Sequence, residues 1–243
     1  MQNNIGSYLI DDSSRPTTFK KRYLVENQKL FRVTRLEDHS VDREIENKLI
    51  TAINKVAPYI DGLIVSDFVY GVITPRVLES INTLAGKHGF LLFGDVQCST
   101  QVGSISRLKE YSLLCPNERE ARIALQDKDS GLEQLSYKLM EQAKINQLVM
   151  KLGSDGFIAY HKTSDSNIIS QPFPALSTNP VDLSGAGDSL LAVLSTSLCS
   201  GIPLIEASAL ACCTASLAVE SMGNIPIDSI DLKKRIFDSF STN

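Results

Sequence analysis

Apolar residues fall at positions 45, 49, 50, 53 and 56 of "DREIENKLITAINKVAPYI", a spacing that predicts an amphipathic helix which Pro58 helps to end. Downstream, apolar runs alternate with helical patterns. "DGLIVSDF" predicts a buried strand at Leu63–Val65. "TPRVLESINTLAGKHG" predicts a helix capped by Thr74, with Pro75 in its first turn and Gly86 or Gly89 near its stop. "FLLFGD" and "YSLLCPN" read as strands, "NEREARIAL" and "GLEQLSYKLMEQAKIN" as helices, "QLVMKLGSDG" as strand and turn, and "GFIAYH" as strand. Such alternation is the mark of βαβ units, in which a mostly parallel sheet is covered on both faces. The C-terminal third carries two helical stretches, 188–200 and 203–222, separated by "SGIP". Upstream, residues 17–36, "TTFKKRYLVENQKLFRVTRL", alternate apolar and charged positions on either side of "ENQK" and predict a partly exposed two-stranded ribbon.

Bulk properties narrow the classes. A composition of 43% hydrophobic and 21% charged residues is that of a globular protein, and 243 residues accommodate one α/β domain preceded by the ribbon. The net charge of −4 provides no general attraction for nucleic acid or an anionic membrane. Five cysteines, at 98, 115, 199, 212 and 213, include no CxxC spacing, so free thiols are expected rather than zinc or disulfides. "MQNNIGSYLIDDSSRP" lacks signal-peptide order, and Gly201, Pro203 and several serines break the most apolar stretch. A cytoplasmic location is the expectation.

Ligands of open parallel sheets bind beyond the carboxyl ends of the strands. Four stretches fall there, "SDFVYG", "GDVQ", "CPNEREA" and "KLGSDG", and acids recur at these ends and around a fifth stretch: Asp67, Asp95, Glu118, Glu120, Asp182 and Asp188. That fifth stretch is "DLSGAGDSLLA", residues 182–192. Gly185 and Gly187 let backbone approach a ligand, and the first N–H groups of a helix lack internal acceptors, which favours an anion. Asp188 would repel that anion but suits a base that takes a proton from an attacking hydroxyl. The alternative is a glycine turn capped by Asp188 or Ser184. "PNERE" places Asn117 and Glu120 on one face, suited to a hydrated magnesium ion or, alternatively, to a capping box. "KLGSDG" turns Lys151 toward a phosphate or forms a simple glycine turn. His39, His88 and His161 have no telling partners, and Cys212–Cys213 suits small-residue helix packing.

Taken in order, these motifs resemble the ribokinase-like, or PfkB-type, carbohydrate kinases. "DLSGAGDSLLA" is similar to that family's D-T-x-G-A-G-D signature, "CPNEREA" to its N-x-x-E motif, and "VMKLGSDG" to its nucleotide-side strand and turn. "ALACCTASLAVESMG" resembles the helix and loop beside the adenine. "RPTTFKKRYLVENQKLFRVTR" and "SDFVYGVITP" point more narrowly to heptose-phosphate kinase domains. The resemblance implies a three-layer α/β/α fold, a single kinase domain over 1–243, and the ribbon as lid and homodimer surface. It implies ATP and magnesium as cofactors and a sugar or sugar phosphate as substrate. Asp188 would be the base, with Gly185, Ala186 and Gly187 as anion hole. Lys151, Gly153, Gly156, Asn117, Cys213 and Gly223 would meet the nucleotide, Asn117 and Glu120 would hold magnesium through water, and Asp182, Lys20 and Arg22 would meet the sugar.

The departures lie at the sugar end. The family's first strand and glycine pair have no counterpart here. Leu183, Gln97 and Tyr70 replace a small residue and two lysines of the motifs. Two readings follow: an ATP-dependent sugar kinase, or a nucleotide-binding relative with an incomplete sugar site.

Overall fold

The computed structural model describes residues 5–25, 28–97, 104–177, 180–223 and 225–240. Glu26 and Asn27 of the predicted "ENQK" turn and Cys98 lie outside the described residues. The chain divides into two compact units, Met1–Ile60 with Asp67–Phe90, and Asp61–Ser66 with Leu91–Asn243.

In the first unit, strands β1 (Phe19–Val25) and β2 (Gln28–Arg35) form the expected antiparallel ribbon, with a bulge after Tyr23. One ribbon face carries Phe19, Tyr23, Phe31 and Val33, all exposed, with the Tyr23 and Phe31 rings stacked at 4.5 Å. Helix α1 (Arg43–Val56) starts where the Asp42 side chain accepts the Ile45 N–H at 2.8 Å. Helix α2 (Pro75–His88) begins at Thr74 and ends at Gly89, whose φ of +79° makes the left-handed turn that stops it. Glu46 of α1 is buried and ties the two helices. It accepts the Thr74 hydroxyl, and Arg76 stands 3.3 Å from its other oxygen.

The second unit holds a six-stranded sheet in the order β3 (Gly62–Asp67), β4 (Leu91–Val96), β5 (Leu113–Leu114), β6 (Gln147–Lys151), β7 (Phe157–Lys162) and β8 (Ile168–Phe173). The β4–β5 and β5–β6 ladders are parallel, and β6–β7–β8 is an antiparallel meander, so the sheet is mixed. Helices α3 (Glu118–Leu125), α4 (Leu132–Ala143), α5 (Ala186–Cys199), α6 (Leu204–Val219) and α7 (Ser229–Phe240) complete it. Period-2 alternation assigns the sheet's two faces. Phe93, Leu113, Val149, Phe157 and Ala159 pack against Leu190, Leu191, Leu194, Ala207 and Ala211 of α5 and α6. Leu148, Met150 and Tyr160 face the other way, where Tyr160 meets Tyr137 of α4 edge-on. This is the α/β/α layering of the ribokinase-like fold.

Two elements were not foreseen. Strand β8 carries Pro172, which has no N–H to donate, and it is tolerated because β8 is the last strand of the sheet. Helix α7 buries none of its residues, although Leu232, Ile236 and Phe240 recur at a four-residue spacing that puts them on one face. No helix among the described residues is long and apolar enough to cross a membrane.

The Thr74 hydroxyl, with Arg76, holds the Glu46 carboxyl below its ordinary range despite burial. A depressed carboxylate contributes stability above its unfolded pKa, and that stability is lost as pH falls through the folded value. Glu46→Gln is therefore expected to flatten the fall of melting temperature between about pH 5 and pH 3, in thermal melts beside wild type. An unchanged acid slope would argue against this link.

Candidate functional site

The turn "SGAGD" opens α5 without a side-chain cap. Gly185 takes φ +81°, a conformation glycine adopts without strain, and its carbonyl accepts the Ser189 N–H at 2.8 Å to start the helix. The N-cap residue is thus Gly185, which has no side chain to serve as a cap. Asp188 is exposed, and its Oδ1 accepts the Gln97 Nε2 amide at 3.2 Å.

Lys151 ends β6 and reaches the same turn. Its ammonium donates to Asp95 Oδ1 at 2.8 Å, and a Cβ added at Gly187 would lie 3.5 Å from its Nζ. Burial alone would lower the Lys151 pKa, but the Asp95 and Glu120 carboxylates overcome that and hold it above its ordinary value. Cys115, enclosed beside them, has its thiol pushed strongly up, chiefly by burial. The turn after β6 needs Gly156: its φ is +88°, and a Cβ there would collide with the Phe173 carbonyl oxygen.

Asn117 and Glu120 form a complete capping box at the start of α3. Asn117 Oδ1 accepts the Glu120 N–H at 2.9 Å, and Glu120 Oε2 accepts the Asn117 N–H at 2.8 Å. The Lys151 N–H donates to the Pro116 carbonyl, which ties this box to the end of β6. Among the described residues no three His, Cys, Asp or Glu side chains gather as a metal site. The cap engages the only side-chain oxygen of Asn117 and one oxygen of Glu120, so the pair fits contact with a hydrated magnesium ion better than direct ligation.

A cavity of about 510 Å³ lies beside Lys151 and the start of α5. Lys151, Gly153, Gly156 and Phe157 line it from the β6–β7 hairpin, Ala186, Gly187 and Leu190 from α5, and Cys212, Ala215, Ser216 and Val219 from α6. Pro174–Ser177 and Leu183 complete it. The lining is mostly apolar, with a cation and a helix N-terminus meeting at one corner. That combination suits a ligand with a flat apolar part and an anionic part.

The structure thus brings together Lys151, Gly153, Gly156, Ala186 and Gly187, with Gly185 and Asp188 on the same turn. Other expected residues lie elsewhere. Cys213 is fully enclosed near Arg235 of α7, because successive helix residues point about 100° apart, and Cys212 lines the cavity instead. Asp182 is buried, its oxygens accepting the N–H groups of Ser184 and Gly223, so it braces two loops, and Gly223 belongs to that brace. Lys20 and Arg22 belong to the first unit, where Lys20 Nζ lies 4.2 Å from the Phe68 ring centroid and Arg22 is exposed. Sequence reasoning noted Asp95 only as one strand-end acid and Gln97 only as a motif departure. Their i, i+2 spacing at the end of β4, which puts both on one face, was the available signal.

Residues 3–230 match the profile described as "pfkB family carbohydrate kinase". The chain is 30% identical over 222 residues to the bifunctional protein HldE of Helicobacter hepaticus, covering 90% of this chain and 44% of that protein. It is 29% identical over 235 residues to HldE of Desulfatibacillum aliphaticivorans, covering 95% and 46%. The chain therefore spans about half the length of the curated relatives it matches. Among solved structures, phosphofructokinase-2 from Escherichia coli in complex with substrates and products superposes with a TM-score of 0.72 at 16% identity, covering 93% of this chain and 71% of that one. Arabidopsis thaliana ribokinase complexed with ribose and ATP gives 0.66 at 19%, covering 91% and 70%. At those identities the two structures show the fold.

Asn117→Ala removes the N-cap acceptor and is expected to cost about 1 kcal/mol in urea unfolding of the ligand-free protein. Asn117→Asp, which keeps an acceptor at the same place, is expected to lose well under half of that. Equal losses would show that the cap contributes little.

Proposed function

The chain belongs to the pfkB family of carbohydrate kinases, and from that membership we propose that it transfers the γ-phosphoryl group of ATP to a hydroxyl of a sugar phosphate of the heptose type. The observation that carries this reading is the uncapped, glycine-opened start of α5 beside Lys151, at the polar corner of a largely apolar cavity. The ribbon and "SDFVYGVITP" motifs support the heptose class. The ATP bound to Arabidopsis ribokinase, a protein of the same fold, supports the nucleotide, and use of ATP fits a cytoplasmic enzyme.

In this reading the adenosine part occupies the apolar cavity, and its phosphates run to Lys151 and the first turn of α5. Asp188 takes the proton of the acceptor hydroxyl as that oxygen attacks phosphorus, and the Gln97 amide holds one Asp188 oxygen in place. The backbone N–H groups of Gly185, Ala186 and Gly187 donate to the transferring group as charge grows on it. Magnesium, held through water by Asn117 and Glu120 and by the phosphates, neutralises charge on the nucleotide when bound. Within the first unit, the exposed apolar ribbon face pairs with a second copy of the chain.

ADP release measured over a panel of sugar phosphates tests this. Asp188→Asn is expected to lower kcat by about 10²–10⁴-fold while ATP still binds. Turnover that survives the substitution overturns the base assignment. ATP binding without turnover on any acceptor by the wild-type chain would favour a nucleotide-binding protein with an incomplete sugar site.

A further inference from the structure

Asp95 and Lys151 form an enclosed ion pair at the carboxyl end of the sheet. The Asp95 side chain is 3% exposed and the Lys151 side chain 18%. A pair so enclosed is a poor source of stability, because desolvation offsets most of its attraction. Its geometry suggests a different role. An ammonium has three N–H donors, and one goes to Asp95. The same Nζ lies beside Gly187, 3.5 Å from where a Cβ there would stand, and Lys151 lines the cavity beside Ala186 and Gly187. One cation is therefore held in one place, next to helix N–H groups that also favour an anion.

Resting on the kinase reading above, we propose that Asp95 is a positioning residue for phosphate recognition. It does not touch the nucleotide, but holds the Lys151 ammonium over the first turn of α5, so that the cavity selects a phosphorylated ligand over its bare nucleoside. Charged and titratable groups around Lys151 fit this role. Asp95 of β4 and Glu120 of α3 both favour the ammonium form, and the buried Cys115 thiol stays protonated. Asp188 lies on the α5 turn that Lys151 abuts, with its Oδ1 bonded to Gln97. Asp95 and Gln97 project from one face of the β4 end, so a single strand end orients both the cation and the proposed base.

The test compares binding of ATP and of adenosine to the full chain, by calorimetry, with thermal melts as a check on folding. Wild type is expected to prefer ATP. Lys151→Met is expected to weaken ATP by about tenfold or more, with adenosine binding unchanged within about twofold. Asp95→Asn is expected to do the same, and the double variant Asp95→Asn/Lys151→Met to be no worse than Lys151→Met alone, since Asp95 acts through Lys151. Equal loss of ATP and adenosine binding in Asp95→Asn, or full additivity in the double variant, overturns the inference. Should Asp95→Asn lose its cooperative melt, Asp95→Leu/Lys151→Met replaces the pair with apolar side chains, an exchange that buried ion pairs often tolerate. A wild-type preference for ATP in that variant overturns the inference; loss of the preference with adenosine binding intact supports it. A wild-type chain that binds adenosine as tightly as ATP also overturns it, even where turnover on a sugar upholds the kinase reading. Absence of turnover with the ATP preference and its dependence on Asp95 intact counts against the kinase reading alone.

Discussion

The seating of α5 on the sheet is the contact on which the site depends. Leu190, Leu191 and Leu194 are buried against Phe93, Leu113 and Val149, and burying each leucine contributes about 1.5–3 kcal/mol. Asp188 lies one half-turn before the first of them, so the helix cannot shift along its axis without pulling a leucine from the core. The first turn is thereby fixed against the ends of β4 and β6, with no side chain of its own to cap it. The first N–H groups of such a helix have no acceptor within the helix and are left to solvent or a ligand.

Along β4 the same face changes character as the strand leaves the core. Phe93 packs under α5, Asp95 pairs with Lys151, and Gln97 bonds Asp188. Each step of two residues moves outward, from an apolar contact to a buried carboxylate to a half-exposed amide. The buried charge at Asp95 is tolerated because Lys151 meets it, and the buried charge at Lys151 because Asp95 and Glu120 outweigh its desolvation. The capping box supplies Glu120 in a fixed orientation, so a feature that reads as simple helix punctuation also sets the field around the lysine.

Much of this was legible in the residues, and the exceptions have physical reasons. Periodicity found α1, α2 and the inward strands because each buries a stripe or a face. It overran β5, expected over 111–117 and observed as Leu113–Leu114, because apolar residues that turn inward from a loop look like strand. It missed α7, which buries nothing, and β8, where Pro172 reads as a breaker until its edge position is known. Glycine spacing found the start of α5, since only bare backbone permits φ +81° at Gly185 without strain. Pair geometry was beyond reach: "CC" cannot say which cysteine faces the cavity, and "GDVQ" cannot say that its acid meets a lysine 56 residues later.

The acids at the strand ends are not equivalent, and their partners sort them. Asp182 accepts two backbone N–H groups, Asp95 holds an ammonium, Glu118 pairs with Arg122 at 2.7 Å, and Glu120 closes a capping box. Asp67 is buried and accepts the Val69 N–H. Each of these carboxylates is already engaged by a backbone N–H or a cation of the fold. Asp188 differs: it is exposed, it stands at the open helix start, and its observed partner is a neutral amide on one oxygen. A base for an alcohol must be reachable, must keep an oxygen available to the hydroxyl, and must lie where the attacked phosphorus would be held. On the proposed reading, Asp188 is the acid of this set that suits the base, and Asp95 the one that holds the cation.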